Sequence, residues 1–140
     1  MIKYFTICFL LLSFLGCAQV KEDVKGFLGI STKALEEGRK DALVQTFQCD
    51  YDSCYEKTRR ILKERLSVYI YKEDKKNKLI AMYLSATDTT PVGIFFKEID
   101  KENTQVEVSS PSTFAKEKIA TEVFSRLIMR LNPIKGEAEE

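Results

Sequence analysis

The chain has 140 residues, 31% of them charged and 44% hydrophobic, with 22 basic side chains against 21 acidic and no histidine or tryptophan. So even a balance gives no basic field for nucleic acid, and the missing imidazole excludes Ser–His and Cys–His nucleophiles and histidine-held metals. The length suits one domain that folds without metal or dense disulfides.

The leader reads MIKYFTICFLLLSFLGC: Lys3 gives a positive start, Tyr4 to Leu15 is almost wholly apolar, and Gly16 precedes Cys17. An apolar run of about a dozen residues is too short to span a bilayer and suits a signal-peptide core. The arrangement resembles a bacterial lipoprotein signal. That resemblance implies removal of residues 1–16 and acylation of Cys17, with palmitate-type chains, as the first mature residue. Two or more chains make such attachment stable. Gly16 fits the pattern, whereas Phe14 and Leu15 depart from it, which leaves an ordinary secretory signal or an uncleaved anchor as alternatives. Ala18 and Gln19, with no Asp at the second mature position, imply the outer membrane by the same resemblance, with the domain facing the periplasm.

Residues 17–30 read as a tether and loop: Val20 to Lys25 is polar, and Gly26-Phe-Leu-Gly-Ile30 is a short apolar knot. Residues 31–131 read as a single domain. Ser31 or Thr32 offers an N-cap, with Glu36 and Glu37 near the start of the helix they open. Leu35, Ala42, Leu43, Thr46 and Phe47 recur at helical spacing, so a helix is predicted from Lys33 to about Gln48, with Gly38 weakening its middle. Asp52 or Ser53 is predicted to cap a second helix, Cys54 to Leu66, whose inner side carries Cys54, Thr58, Ile61 and Leu62.

Cys49 and Cys54 flank a short bend, Asp50 to Ser53. In an oxidising compartment the pair reads as one small-loop disulfide. A reduced buried pair is the alternative, and a two-thiolate metal site with Asp50 and Asp52 is a third. No cofactor and no metal are expected.

Four strands follow by alternation. Val68 and Ile70 alternate with Tyr69 and Tyr71. Asp74 to Lys78 is a polar turn. Leu79 to Ser85 resumes with Ile80, Met82 and Leu84 on one face. After Thr87 to Pro91, Val92, Ile94 and Phe96 alternate with Gly93, Phe95 and Lys97. A third turn, Asp100 to Thr104, leads to Val106 and Val108. Ser110-Pro-Ser-Thr113 closes the sheet and caps a last helix striped with Ile119, Ala120, Val123, Phe124, Leu127, Ile128 and Leu131, with Phe124 expected at its centre. Asn132-Pro133 stops it, and residues 132–140 read as a disordered tail. The predicted fold is α+β: a four-stranded antiparallel meander with two helices on one face, preceded by an N-terminal helix.

The paired carboxylates Glu36–Glu37 and Asp50–Asp52 are explained by capping and solvation. Gly26-Phe-Leu-Gly29 lacks the spacing of a phosphate loop, and Thr87 to Thr90 has no base beside its hydroxyls. No catalytic residue is assigned. Tyr69, Tyr71, Tyr83 and Phe95 share or border the face opposite the aliphatic one, either as a docking surface or as a layer covered by the segment between Phe27 and Phe47.

The runs Gly29-Ile-Ser-Thr-Lys-Ala-Leu-Glu-Glu37, Cys54-Tyr55 and Val92-Gly-Ile-Phe-Phe96 are similar to a family of small bacterial lipoproteins with no assigned activity, over about Gly29 to Leu131. The resemblance implies an envelope location and an α–ββββ–α layout. The expectation is a non-enzymatic envelope lipoprotein that meets the membrane through its lipid and another envelope protein through its surface. The alternative is a carrier holding a small ligand or lipid between helices and sheet.

Overall fold

A computed structural model describes residues 32–132. The chain divides into two units, Met1–Lys33 and Ala34–Glu140, and the fold below is that of the second. The leader, Cys17, the tether and loop of residues 17–30, and the tail beyond Asn132 lie outside the described residues.

Helix α1 (residues 32–37) tightens into a 3-10 turn, Gly38–Asp41. Five strands and two longer helices follow: β1 (Leu43–Gln48), α2 (Tyr51–Arg65), β2 (Tyr69–Asp74), β3 (Leu79–Tyr83), β4 (Pro91–Glu98), β5 (Asn103–Ser109) and α3 (Thr113–Leu131). All neighbouring strands are antiparallel, in the order β1-β5-β4-β3-β2. The class is the predicted one, α+β with an antiparallel sheet.

The sheet has five strands where four were expected, because the predicted helix Lys33 to Gln48 ends early. Its second half is β1, paired with β5 from Leu43↔Val108 to Gln48↔Asn103. Two patterns compete in that stretch. Leu35, Ala42, Leu43, Thr46 and Phe47 fit a helix, but β-branched Val44 and Thr46 flanking Gln45, followed by Phe47, fit a strand. Tertiary pairing decides: β1 supplies the partner that one edge of β5 needs, and Phe47 turns inward to lie 5.7 Å from the Phe124 ring.

Helices α2 and α3 contribute to one cluster on a single face, where Ile61, Leu62, Ile119, Val123 and Leu127 meet Ile80, Met82, Ile94, Val106 and Val108. Burying a side chain of this size stabilises by about 1.5–3 kcal/mol. The centre of the α3 stripe is Val123 and Leu127; Phe124, expected there, is partly buried at the β1 edge. Ser112 caps α3, its hydroxyl accepting from the Ala115 amide at 3.2 Å. Asp50, rather than Asp52 or Ser53, caps α2, which therefore starts at Tyr51. Its carboxylate accepts from the Ser53 amide at 2.9 Å, which holds it below its ordinary pKa.

The tight links between β2 and β5 are each tied by an aspartate bonded to its own turn. Asp74 accepts from the Asn77 amide, Asp88 from Thr90, and Asp100 from Glu102 and Asn103, at 2.8–3.0 Å. These are Asx-type turns, in which a short carboxylate replaces a backbone acceptor. Strand β2 also carries a bulge between Ile70 and Lys72. The extra residue leaves Tyr71 on the face of Tyr69 and turns Glu73 toward α2, where it pairs with Arg59 at 2.9 Å and with Lys63.

The opposite face is closed by a plug. Leu35, fully buried, joins Leu79, Ala81 and Phe95, with Tyr71 beside them. Gly93 makes the room: a Cβ there would stand 3.1 Å from Leu35 Cδ1 and 3.0 Å from Phe95. Ser109 donates to the Leu35 carbonyl at 2.7 Å, and a Cβ on Gly38 would stand 2.7 Å from that hydroxyl. Gly93→Ala should therefore destabilise by about 1–3 kcal/mol through overpacking. In denaturant melts its cost should shrink when Leu35→Ala is also present, because the two groups touch.

One buried polar atom works against the core. The Tyr55 hydroxyl is buried without a hydrogen-bond partner among the described residues, and burial leads the causes that push its pKa up to about 12. A partnerless hydroxyl costs desolvation with no return. Tyr55→Phe should leave the denaturation midpoint unchanged or raise stability by up to about 1 kcal/mol; a clear loss would reveal a partner for the hydroxyl.

Candidate interaction surface

Three features carry chemistry: a tyrosine ladder, a thiol pair, and a groove along β1. The ladder lies on the face away from α2 and α3. Tyr69 pairs across strands with Tyr83. Their rings stack at 6.3 Å with an interplanar angle of 11°, and Tyr71 lies 4.5 Å from Tyr83. Tyr69 is 55% exposed, while Tyr71 and Tyr83 are half-buried. Phe95, the fourth predicted member, is only 4% exposed and belongs to the buried cluster against which Tyr71 packs. Leu35 lies over it, and the Arg39 guanidinium sits 4.5 Å from its ring centre while pairing with Glu107 at 2.7 Å. The face is thus covered at its middle by residues from the 27–47 segment and open at the β2–β3 edge.

Cys49 and Cys54, predicted as a disulfide, stand as free thiols in the structure, both buried. Cys49 ends the turn after β1, its carbonyl accepting from the Thr104 hydroxyl at 2.8 Å. Cys54 lies in the first turn of α2, and the Cys49 thiol donates to the Asp50 carbonyl at 3.4 Å. Burial raises both pKa values, Cys54 further than Cys49. Nucleophilic attack and metal binding use the thiolate, so both thiols are quiet near neutrality. Asp50 is committed to the α2 cap, and Asp52 pairs with Lys75 at 3.0 Å. Among the described residues no group of three or more His, Cys, Asp or Glu is placed to hold a metal.

The groove, about 600 Å³, runs along the second half of β1 and is lined by Gln45, Phe47, Cys49, Asp50, Ile128 and Leu131, with Lys101 and Glu102 at its rim. Nothing in the sequence reading marked it, since it exists only because β1 is a strand beside the end of α3. A signal was present: Leu43-Val-Gln-Thr-Phe-Gln48 is six residues with no charge and no proline.

The chain matches no protein-family model and no curated protein. Among the described residues no helix is long and apolar enough to cross a membrane.

The thiol pair gives a direct check. In reduced, folded protein, alkylation of Cys49 and Cys54 at pH 7 should be at least about tenfold slower than that of a free cysteine, Cys54 the slower, rising only above the ordinary thiol pKa of 9.0. Fast labelling of Cys54 at neutral pH would contradict the burial described.

Proposed function

We propose that this chain is a membrane-anchored lipoprotein of the cell envelope, a non-enzymatic module that faces the periplasm and docks another envelope protein. The observation that carries the docking role is the half-open ladder of Tyr69, Tyr83 and Tyr71. Tyrosines offer large, stiff contact area with a polar tip and are enriched where proteins meet. The anchoring role rests on the leader and Cys17, through their resemblance to lipoprotein signals. An outer-membrane position follows from Ala18 and Gln19 on the same basis.

A carrier would need space between helices and sheet. That space is filled by Ile61, Leu62, Met82, Ile94 and Val123, all fully buried in one cluster, which favours the docking reading over the alternative. In the oxidising envelope the thiols of Cys49 and Cys54 exchange with the disulfide of a thiol oxidant while the chain folds, before burial closes over them. They lose two protons and two electrons to form an S–S bond, and the oxidant's disulfide is reduced to its dithiol.

Intact-mass spectrometry of the chain recovered from membranes tests the location. The expected species begins at an acylated Cys17 and is two hydrogens lighter across Cys49 and Cys54. An unmodified Cys17 within the recovered chain overturns the anchor, and two free thiols overturn the bridge. For docking, Tyr69→Ser with Tyr83→Ser should reduce capture of envelope proteins severalfold at a temperature where the variant is fully folded. Equal capture by the double variant removes the ladder from the function.

A further inference from the structure

We propose that the free edge of β1 pairs with β1 of a second copy of this chain, in antiparallel register about a two-fold axis through Gln45. The inference does not depend on where the protein resides.

The two edges of the sheet are built differently. At β2 the chain places a bulge and the charged run Lys72, Glu73 and Asp74, devices that discourage strand addition. At β1 there is no bulge and no charge over six residues, and Leu43 and Val44 are 37% and 47% exposed. Among the described residues strand β1 pairs on one side only, with β5. Its outward backbone groups form an open template of the kind completed by an added strand.

What completes it follows from symmetry. In a continuous antiparallel sheet, paired residues point to the same face, so two copies of one strand pair about a residue rather than between two. The central choices are Gln45 and Thr46. About Gln45, Leu43 of one copy lies opposite Phe47 of the other, and Val44 opposite Thr46. The exposed Leu43 side chain then reaches the groove floored by Phe47 and flanked by Ile128 and Leu131. That knob and hole occur twice. About Thr46, Leu43 would instead meet Cys49, and Val44 would meet Gln48. Complementary shape, an exposed Leu43 knob and a groove over Phe47 that each occur twice, therefore selects the second copy as occupant and Gln45 as its axis.

The test uses the full chain in intact cells and in mild detergent. Directly paired residues have Cβ atoms about 4.5–5.5 Å apart, and diagonal ones about 7–8 Å. Gln45→Cys should give a dimer under mild oxidation, mapped by mass spectrometry to the two introduced sulfurs, at least about tenfold above Thr46→Cys or the remote Lys118→Cys. Thr46→Lys, at an exposed site, should weaken dimerisation in sedimentation by about tenfold or more while the thermal midpoint stays the same at dilutions where both proteins are monomeric. The proposal is overturned if Gln45→Cys cross-links no better than Lys118→Cys, if it cross-links to a different protein instead, if the unaltered chain sediments as a monomer at every concentration, or if Thr46→Lys leaves the dimer intact.

Discussion

A five-stranded sheet has two faces to dry, and among the described residues there are only two long helices, both spent on one of them. The other face depends on Leu35 lying over Gly93. The leucine is fully buried, and the glycine's missing side chain is what lets it down onto the sheet. That one contact organises its surroundings. To bring Leu35 over β4 the chain leaves its first helix at Gly38, where Ser109 takes the Leu35 carbonyl. Arg39 is then set over Phe95 and against Glu107. The chain emerges in line to pair with β5. The early end of the helix, the extra strand and the partial cover of the aromatic face all meet at this contact, with the β5 ladder drawing the chain on into β1.

The helix-side face works by ordinary hydrophobic burial and tolerates no gap of its own. Dispersion and water exclusion act together there, since interiors of this kind pack as densely as organic crystals. Polar groups within it are mostly answered: Thr58 donates to the Cys54 carbonyl and Thr104 to that of Cys49. The Tyr55 hydroxyl is the exception among the described residues. Electrostatics acts at the margins, where exposed ion pairs such as Arg59–Glu73 and Lys78–Glu98 guide side chains but add little stability.

Surfaces left over after the two faces are covered are where the two proposed contacts fall. The ladder at the β2–β3 edge and the uncharged strand at the other edge sit at opposite ends of the sheet, so a protein partner and a second copy need not compete for one place. The thiol pair is a different kind of feature. Burial suppresses its reactivity while holding the two sulfurs side by side, an arrangement suited to structural closure rather than to turnover.

The sequence by itself determined the local pieces. Alternation marked Ile80, Met82, Ile94 and Val108 as one face, three-and-four spacing marked Ile119, Val123 and Leu127, and Asp, Asn and Ser marked the turns and the α3 cap. Each of those signals is carried by neighbours in sequence. What only the tertiary structure decided are the choices between local signals of equal strength. Leu43 to Gln48 reads as helix or strand until β5 offers a ladder. Tyr69, Tyr71, Tyr83 and Phe95 read as one aromatic surface until Leu35 and Arg39 bury Phe95 and leave the three tyrosines. The cap of α2 moved to Asp50 because only the folded turn shows which carboxylate reaches Ser53. The groove on β1 joins residues about 80 positions apart, and a pattern read along the chain carries no record of such a meeting, since local periodicity fixes which face a side chain takes and not what comes to lie beside it.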